Sequence, residues 1–295
     1  MAFARDRQVG RMLGTLLGSA LACGALMAAA PAFAQVACDR AGLQASTDGY
    51  LAAQAAGDPT KMKMGLWEDY NEQGQMAGLN TGIVATPLKI DFHRTLIDTT
   101  SCSTFTEVIV TDPAHPYVIG VRLGVRGGDI GQIEMLITDA GDWLFNAANT
   151  LKYSKAENWS EIPAADRDSR ETLLAAANAY LDAFNDKTAK VPWGTPCERL
   201  EGGLYTSKVA PGTSSPDDSC NVGVPSGVKI VDRRYVVDET LGAVTVISTF
   251  GSNQLPDAHT FRVEHGKLRY VHTITVCKTL NCGFKLPDEL KPAGG

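Results

Sequence analysis

Two segments of the chain repeat one another without a gap, and this repeat constrains the fold more than any other feature. The segment KIDFHRTLIDTTSCS, from Lys89, aligns on KIVDRRYVVDETLGA, from Lys229, which places His93 opposite Arg233. Five residue types recur at matching positions, as Lys89, Ile90, Arg94, Asp98 and Thr100 and again as Lys229, Ile230, Arg234, Asp238 and Thr240.

Two further blocks repeat in the same order. GYLAAQAAGD resembles the later AYLDAFNDK, which pairs Tyr50 with Tyr180. DPAHPY resembles PDAHTF, which pairs His115 with His259. Such self-similarity is typical of a duplicated unit, and 295 residues allow about two domains. We therefore predict a signal peptide at 1–34, a first unit at 35–150, a linker at 151–165, a second unit at 166–282 and a loose tail at 283–295.

The N-terminus has the pattern of an export signal. Arg5, Arg7 and Arg11 precede an apolar stretch, and the triplet at 32–34 is an A-x-A cleavage site. The alternative is a membrane anchor, which the short, alanine-rich stretch disfavours. We expect a periplasmic or secreted protein without membrane contact after cleavage.

The charge balance bears on partners. The formal net charge is −6, and no run of lysine and arginine occurs. A nucleic-acid partner is therefore not expected, while a homo-oligomer is left open. The expected partner is a small aromatic ligand or substrate.

Cysteine usage agrees with export. Of seven cysteines, Cys23 lies in the signal peptide and six remain, an even number that indicates disulfides in an oxidising compartment. Proximity in sequence favours Cys197–Cys220 and Cys277–Cys282, which leaves Cys38–Cys102. The competing interpretation is a metal site, but there is no CxxC and no histidine pair with ligand spacing, so no metal is expected.

The order of predicted elements indicates an α+β fold. A helix over 39–56 precedes a polar segment of short helix and loop at 61–83, and strands follow at 89–98, 103–111, 117–125 and 130–138. A second helix over 166–185 precedes a Gly/Pro/Ser-rich excursion at 191–227 and strands at 228–238, 243–250, 259–263 and 268–277. Helix first and strands afterwards favours antiparallel sheets over βαβ units.

This order, with the phrases YLAAQAAGD, KIDFHR, GDIGQIEMLITD, AYLDAFND and HGKLRYVHTITVC, resembles the SnoaL-like, or nuclear-transport-factor-two-like, superfamily. The chain also resembles a group of secreted two-unit proteins. The resemblance implies two tandem cones, each a long helix packed in a strongly bent antiparallel sheet around an apolar pocket. It also implies cofactor-free proton transfer or ligand binding. Some sphingomonad members are lyases that cleave lignin-derived diarylpropane diols to a stilbene and formaldehyde.

His93 is the first catalytic candidate. Asp91 lies two residues earlier, so both side chains face one side of a strand. A neighbouring carboxylate raises the pKa of an imidazole and orients the ring, which suits a general base or acid. The alternative is a solvated histidine on the outer face of the sheet.

Other candidates come from position. Tyr50 faces the sheet and is a candidate hydrogen-bond donor to an oxyanion, or else a core residue. His272 lies on the last strand beside Tyr270, where superfamily enzymes often place an acid or base, although a one-residue change of parity turns it outward. Aromatic residues expected to bind substrate are Trp67, Tyr70, Tyr180, Trp193 and Tyr205.

Three sets of residues receive structural roles. Arg94 with Asp98, and Arg234 with Asp238, recur in both units and are predicted to form structural ion pairs. His115 and His259 follow turn signals and are assigned to the anchoring of a hairpin.

Two functions remain in competition. The first is a cofactor-free lyase or isomerase for a small aromatic substrate, in its most specific form a diarylpropane diol lyase that releases formaldehyde. The absence of P-loop, nucleophile-elbow, dinucleotide and HExxH motifs favours chemistry without a cofactor. The second is a non-enzymatic periplasmic or secreted binding protein for a small hydrophobic ligand.

Overall fold

The computed structural model describes residues 38–210 and 212–285. The predicted signal peptide and the tail beyond residue 285 lie outside these residues. The elements of the first unit are α1 (Arg40–Ala56), β1 (Met64–Glu72), β2 (Gln75–Met76), β3 (Phe92–Asp98), β4 (Ser103–Val110), β5 (Tyr117–Arg126), β6 (Asp129–Thr138) and α2 (Ala147–Ala156). Those of the second unit are α3 (Arg170–Asp182), β7 (Trp193–Glu201), β8 (Leu204–Tyr205), β9 (Ile230–Asp238), β10 (Ala243–Phe250), β11 (Leu255–Glu264) and β12 (Lys267–Thr275).

The two units have the same α+β topology. One six-stranded sheet has the order β2-β1-β6-β5-β4-β3, and the other has the order β8-β7-β12-β11-β10-β9. The sequence analysis predicts antiparallel sheets, but both sheets are mixed. β1 pairs with β6 in parallel, and β7 pairs with β12 in parallel. In each unit the four-strand meander begins at the edge strand, β3 or β9. It ends with β6 or β12, which lies beside the first strand of the unit and runs parallel to it.

Five elements are missing from the sequence prediction: β1, β2, β7, β8 and α2. β1 and β2 lie at 61–83, where polar residues predict short helix and loop, and β7 and β8 lie in the excursion, where Gly194 and Pro196 interrupt the strand pattern. α2 begins in the predicted first unit and ends in the predicted linker, and its start is capped where the Asn146 side chain accepts from the amide of Asn149 at 3.0 Å.

Each sheet carries its helix on one face. Tyr50 of α1 and Tyr180 of α3 are fully buried against their own sheets. The core under α1 contains alternate residues of the meander, among them Val108, Val121 and Ile133. Alternation puts one side of every strand under the helix and the other side toward the second unit.

The opposite faces of the two sheets pack on each other. Leu96, Phe105 and Ile109 of the first unit form one core with Ile247 and Ile274 of the second. Gly120 permits this close approach, because a Cβ there would lie 2.8 Å from the Phe105 ring of its own sheet and 3.3 Å from Cδ1 of Ile274 in the other unit. The described units therefore share a buried apolar interface.

Two reciprocal ion pairs cross this interface. The guanidinium of Arg170, the first residue of α3, donates to both carboxylate oxygens of Asp98 at 2.8 and 2.9 Å. Arg40, the first residue of α1, binds Asp238 in the same way at 2.9 Å from each nitrogen. Asp98 also accepts from the amide of Val237 at 2.9 Å, and Asp238 accepts from the amide of Ile97 at 2.9 Å.

The predicted pairs Arg94–Asp98 and Arg234–Asp238 are therefore wrong. Arg94 instead lies 3.4 Å from Glu107, and Arg234 forms an ion pair with Glu134. Asp98 and Asp238 each end a strand, where the carboxylate also caps the turn that follows. That position brings them to the helix start of the other unit instead of to the arginine of their own strand.

Three disulfides join Cys38 to Cys102, Cys197 to Cys220 and Cys277 to Cys282. These are the pairings that sequence proximity favours, and they are typical of proteins from oxidising compartments. Among the described helices, none combines the length and the apolar character that a membrane span requires.

We predict that Asp98→Asn lowers the free energy of unfolding by about 1.5–3 kcal/mol, the usual worth of hydrogen bonds to a charged group. Asp238→Asn should have a similar effect because its contacts are equivalent. Burial tends to raise the pKa of Asp98, but Arg170 and the amides outweigh it and lower that pKa. The stabilisation is therefore present above the ordinary pKa of aspartate and is lost as pH falls through the folded value.

Urea unfolding at pH 7, where the stabilisation is complete, and at pH 2.5, below the ordinary pKa of aspartate, measures these effects. The control is Lys63→Ala, which removes an exposed pair with Asp129 and should change stability by less than about 1 kcal/mol. Equal effects of Asp98→Asn and Lys63→Ala would contradict the stabilising role of the two ion pairs that cross the interface.

Candidate functional site

The second unit contains a cavity of about 220 Å³ on the helix-facing side of its sheet, bordered by Phe184 just after the end of α3 and by the segments 223–228 and 284–285. Aromatic rings form much of its wall, at Trp143, Phe184, Phe250 and Phe284. Six polar residues line the same space: Arg199, Glu201, His259, Thr273, Thr275 and Lys285. An apolar chamber with a few convergent polar groups is the usual form of a small-molecule site.

A buried histidine–aspartate pair lies in the wall of this cavity. His259 and Asp257 lie two residues apart on β11, so both point to the helix-facing side. The Nδ1 of His259 lies 2.8 Å from Oδ2 of Asp257. Because a carboxylate only accepts hydrogen bonds, Nδ1 carries a proton, and in the neutral tautomer Nε2 therefore presents a lone pair.

Asp257 is itself held in place by two hydroxyls. Thr275 on β12 donates to Oδ1 at 2.6 Å, and Ser248 on β10 donates to Oδ2 at 3.1 Å. Both Asp257 and His259 are buried to at least 99%. The imidazole is thus fixed in one orientation by a carboxylate that is fully hydrogen-bonded.

A second buried pair forms the neighbouring wall. The Nη2 of Arg199 donates to Oε1 of Glu201 at 2.8 Å, and Thr273 donates to the same oxygen at 2.9 Å. The other oxygen of Glu201 accepts from the indole of Trp143 at 2.9 Å. Burial raises the pKa of Glu201, but the charge of Arg199 and the hydrogen bonds from Trp143 and Thr273 outweigh it and hold that pKa below its ordinary value.

Trp143 ties the cavity to the first unit. It follows β6, yet its ring lines the cavity of the second unit and lies 5.6 Å from the ring of Phe284. Gly202 makes room for this segment, since its φ is 55° and a Cβ there would lie 2.3 Å from the carbonyl oxygen of Trp143. The wall of the site is complete only with the end of the first unit in place.

Two disulfide-closed segments border the cavity. Cys220 joins the excursion to β7, and the carbonyls of Cys220 and Val222 accept from Nη1 of Arg199 at 3.3 and 2.5 Å. The Cys277–Cys282 bridge closes the turn that leads to Phe284. The bridges therefore fix both the backbone that holds Arg199 and the ring at the cavity edge.

The first unit has no such chemistry at the equivalent positions. His259 pairs with Val246 as Val121 pairs with Thr106, and Asp257 pairs with Ser248 as Ile119 pairs with Val108. Val121 and Ile119 thus stand where the second unit has His259 and Asp257. Tyr70 and Glu72 take the places of Arg199 and Glu201, and the hydroxyl of Tyr70 donates to Glu72.

The Asp91–His93 pair predicted from sequence does not form. Asp91 accepts from the amide and hydroxyl of Thr111 at 2.8 and 2.7 Å, while His93 is exposed on β3, at the edge of its sheet. The segment before Phe92 is not a strand, so the alternation that should put both on one side does not apply. The pairing of His115 with His259 is also wrong, because His115 lies in an exposed turn.

His272 faces the interface rather than the cavity. Its Nε2 lies 2.6 Å from Glu157 and its Nδ1 lies 3.1 Å from Glu107, and it is 3% exposed. Arg94 completes the cluster, with its guanidinium 4.2 Å from the Trp159 ring. The parity of β12 turns Val271 and Thr273 toward the helix, so His272 joins the two units.

The aromatic candidates line other parts of the molecule. Tyr50 is core, and its hydroxyl donates to Gln54 at 3.4 Å; Tyr70 is buried in β1. Trp193 packs 5.7 Å from the ring of Tyr180, beside the cavity. Tyr205 stacks on Tyr153 at 4.3 Å. Trp67 lies on β1.

The residues that do line the cavity had a sequence signal. Asp257 and His259 have the same i, i+2 spacing as Asp91 and His93, but the turn signal in PDAHTF starts the predicted strand only at His259 and leaves Asp257 outside it. Arg199 and Glu201 have this spacing too, within a segment read as irregular. Trp143 reaches the site only through tertiary packing, for which no local pattern exists.

Comparison with known families bears on the second unit. A family model described as a domain of unknown function (DUF8021) matches residues 166–275. The matched range includes α3 and ends with β12, so it contains Asp257, His259, Arg199 and Glu201. No curated protein matches the chain.

The cluster around His272 predicts a loss of stability at high pH. Burial lowers the pKa of His272, but Glu157 and Glu107 outweigh it and raise that pKa from 6.5 to about 9. A raised folded pKa stabilises the protein fully below the unfolded value, and the stabilisation is lost as pH rises through about 9.

Wild type should therefore lose on the order of 2–3 kcal/mol between pH 6.5 and pH 10. His272→Gln should be less stable at pH 6.5 but should lack most of this decline. Urea midpoints across the range measure both. Parallel pH profiles for variant and wild type would show that another group is responsible.

Proposed function

We propose that the second unit is a cofactor-independent acid/base enzyme, an isomerase or lyase, for a small and largely apolar ring compound. The observation that carries the proposal is His259, fixed by Asp257 and directed into an apolar cavity. Such a histidine can remove a proton from a carbon acid or an alcohol and return it to another atom. Asp257 keeps the ring in one tautomer and stabilises the imidazolium that forms.

The size of the cavity supports a single substituted ring. A cavity of about 150 Å³ holds benzene, so about 220 Å³ accommodates a ring with several substituent atoms. A diarylpropane diol has two rings. If such a diol is the substrate, one ring occupies the cavity and the other extends past Phe284 and Lys285 at the edge.

Membership of the SnoaL-like superfamily is part of the same proposal. Its support is the repeated order of a long helix followed by a six-stranded sheet, with the cavity on the helix-facing side of the second sheet. We propose that each sheet bends into a cone. Export to the periplasm or the medium is also proposed, on the N-terminal pattern and the three disulfides.

A binding protein for a small hydrophobic ligand is the second candidate. The observation that favours it is the saturation of the cavity carboxylates by protein donors, since Glu201 accepts from Arg199, Thr273 and Trp143. If His259→Gln binds ligand with the same affinity as wild type, and neither protein turns the ligand over, the result would support this function.

We predict that His259→Gln lowers kcat by about 10²–10⁴-fold, the usual cost of losing a positioned acid/base group. The amide preserves volume and a hydrogen bond to Asp257 but cannot carry the proton. The assay uses the mature protein with one-ring substrates and with diarylpropane diols, where formaldehyde release reports cleavage.

The matched control is His93→Gln, which changes an exposed histidine in the other unit and should leave kcat unchanged. Thermal unfolding verifies that both variants fold. Wild-type turnover by His259→Gln on a verified substrate would exclude His259 as the base.

A further inference from the structure

We propose that the cavity recognises a carbonyl oxygen on its ring substrate, and that Arg199 and Tyr180 are the donors to that oxygen. This inference rests on the proposed function and names the substrate class of the same site. It also gives Tyr180 a role in ligand binding in addition to its packing against the sheet.

Two buried donors beside the cavity have no acceptor among the described residues. They are Nε of Arg199 and the hydroxyl of Tyr180. The other nitrogens of Arg199 are occupied, Nη1 by the carbonyls of Cys220 and Val222 and Nη2 by Glu201. Arg199 is 2% exposed and lines the cavity, and Tyr180 is fully buried.

Such donors are uncommon. More than about 90% of buried polar groups in proteins have a hydrogen-bond partner, and an unpaired one costs free energy. Tyr180 lies next to the cavity, because its ring centroid is 5.8 Å from that of His259 and 5.6 Å from that of Phe184, and both of these residues line the cavity.

The first unit shows what the second lacks. Tyr50 stands at the position of Tyr180, and its hydroxyl donates to Gln54 one helical turn later. The residue one turn after Tyr180 is Phe184, which has no acceptor and lines the cavity. The second unit therefore lacks the acceptor that Gln54 provides in the first, and the residue at that position lines the cavity.

The chemistry of these groups selects the ligand. Both groups donate, so the ligand atom is an acceptor, and a cationic donor favours an oxygen that gains negative charge. Aromatic walls favour a ring without charge. An aromatic or alicyclic ketone or aldehyde satisfies all three conditions.

A carbonyl also gives His259 its reaction. Nε2 removes a proton from the carbon next to the carbonyl. The C–H electron pair forms a carbon–carbon double bond, and the π pair of the carbonyl moves to the oxygen of the resulting enolate, which Arg199 and Tyr180 hold. The proton on Nε2 then goes to another carbon in an isomerisation, or to a group that leaves from the β carbon in an elimination. No oxidant or reductant is consumed.

Acetophenone and ethylbenzene test the proposal because they have nearly the same size and differ in the oxygen. Titration of the mature protein, followed by calorimetry or by ligand NMR, should show acetophenone binding more tightly than ethylbenzene. Tyr180→Phe should weaken acetophenone binding by about 10-fold and leave ethylbenzene binding unchanged. Because the hydroxyl has no partner in the free protein, this variant should unfold at the same temperature as wild type or higher.

Tyr50→Phe is the matched control. It removes a hydroxyl that donates to Gln54, so it should lower the unfolding temperature and leave both ligands unaffected. Arg199→Lys keeps the charge but removes Nε, and it should also reduce the preference for acetophenone if it folds.

The outcomes separate the two levels of the proposal. If both compounds bind equally and Tyr180→Phe changes neither, the donor pair is wrong while the cavity stands. If benzoate binds far more tightly than acetophenone, the carbonyl class is overturned in favour of a carboxylate. If no ring compound binds to wild type, the cavity is not a ligand site and the proposed function fails with it.

Discussion

The reciprocal crossing of Arg40 to Asp238 and Arg170 to Asp98 is the constraint on which the rest of the structure depends. Each aspartate ends a β-strand in one unit and binds the start of the helix in the other. A buried carboxylate is costly unless it is paired and hydrogen-bonded, so neither unit can leave its partner without exposing or orphaning a charge. The crossing therefore fixes the register of the two sheets, and with it the apolar interface between them.

That fixed arrangement allows the two copies to differ. The first unit is filled by its own side chains, because Gln54, Tyr70 and Met135 occupy the space between its helix and sheet. The second unit keeps a cavity at the equivalent place. The first unit then contributes Trp143 to the cavity wall and Glu107 to the interface cluster around His272. The duplicated copy thus serves as a scaffold for its neighbour.

The sequence predicts the fold better than the site. The alignment of the segment from Lys89 on the segment from Lys229 correctly implies two similar α+β units, because similar patterns of buried residues require similar arrangements of helix and strands. The site was missed where local rules conflict with tertiary context. Pro256 suggested a turn before His259, although proline is tolerated at that position of β11. Asp98 looked like a partner for Arg94 because the pattern lies on one strand, whereas its real partner is remote in sequence and no spacing rule can identify it.

The two units differ in polarity on the sheet wall and at the end of the helix, and the two differences are opposite in sign. On the sheet wall of the second unit, polar residues replace apolar ones, with Asp257 for Ile119 and His259 for Val121. On the helix the change is opposite, with Phe184 at the place of Gln54. Polar groups in a core are tolerated only when each has a partner, and Asp257, Glu201 and His259 do have protein partners. Among the residues that the structure describes, Nε of Arg199 and the hydroxyl of Tyr180 are the donors near this wall that have no acceptor. The proposed carbonyl ligand would supply the acceptor that Gln54 supplies to Tyr50 in the first unit.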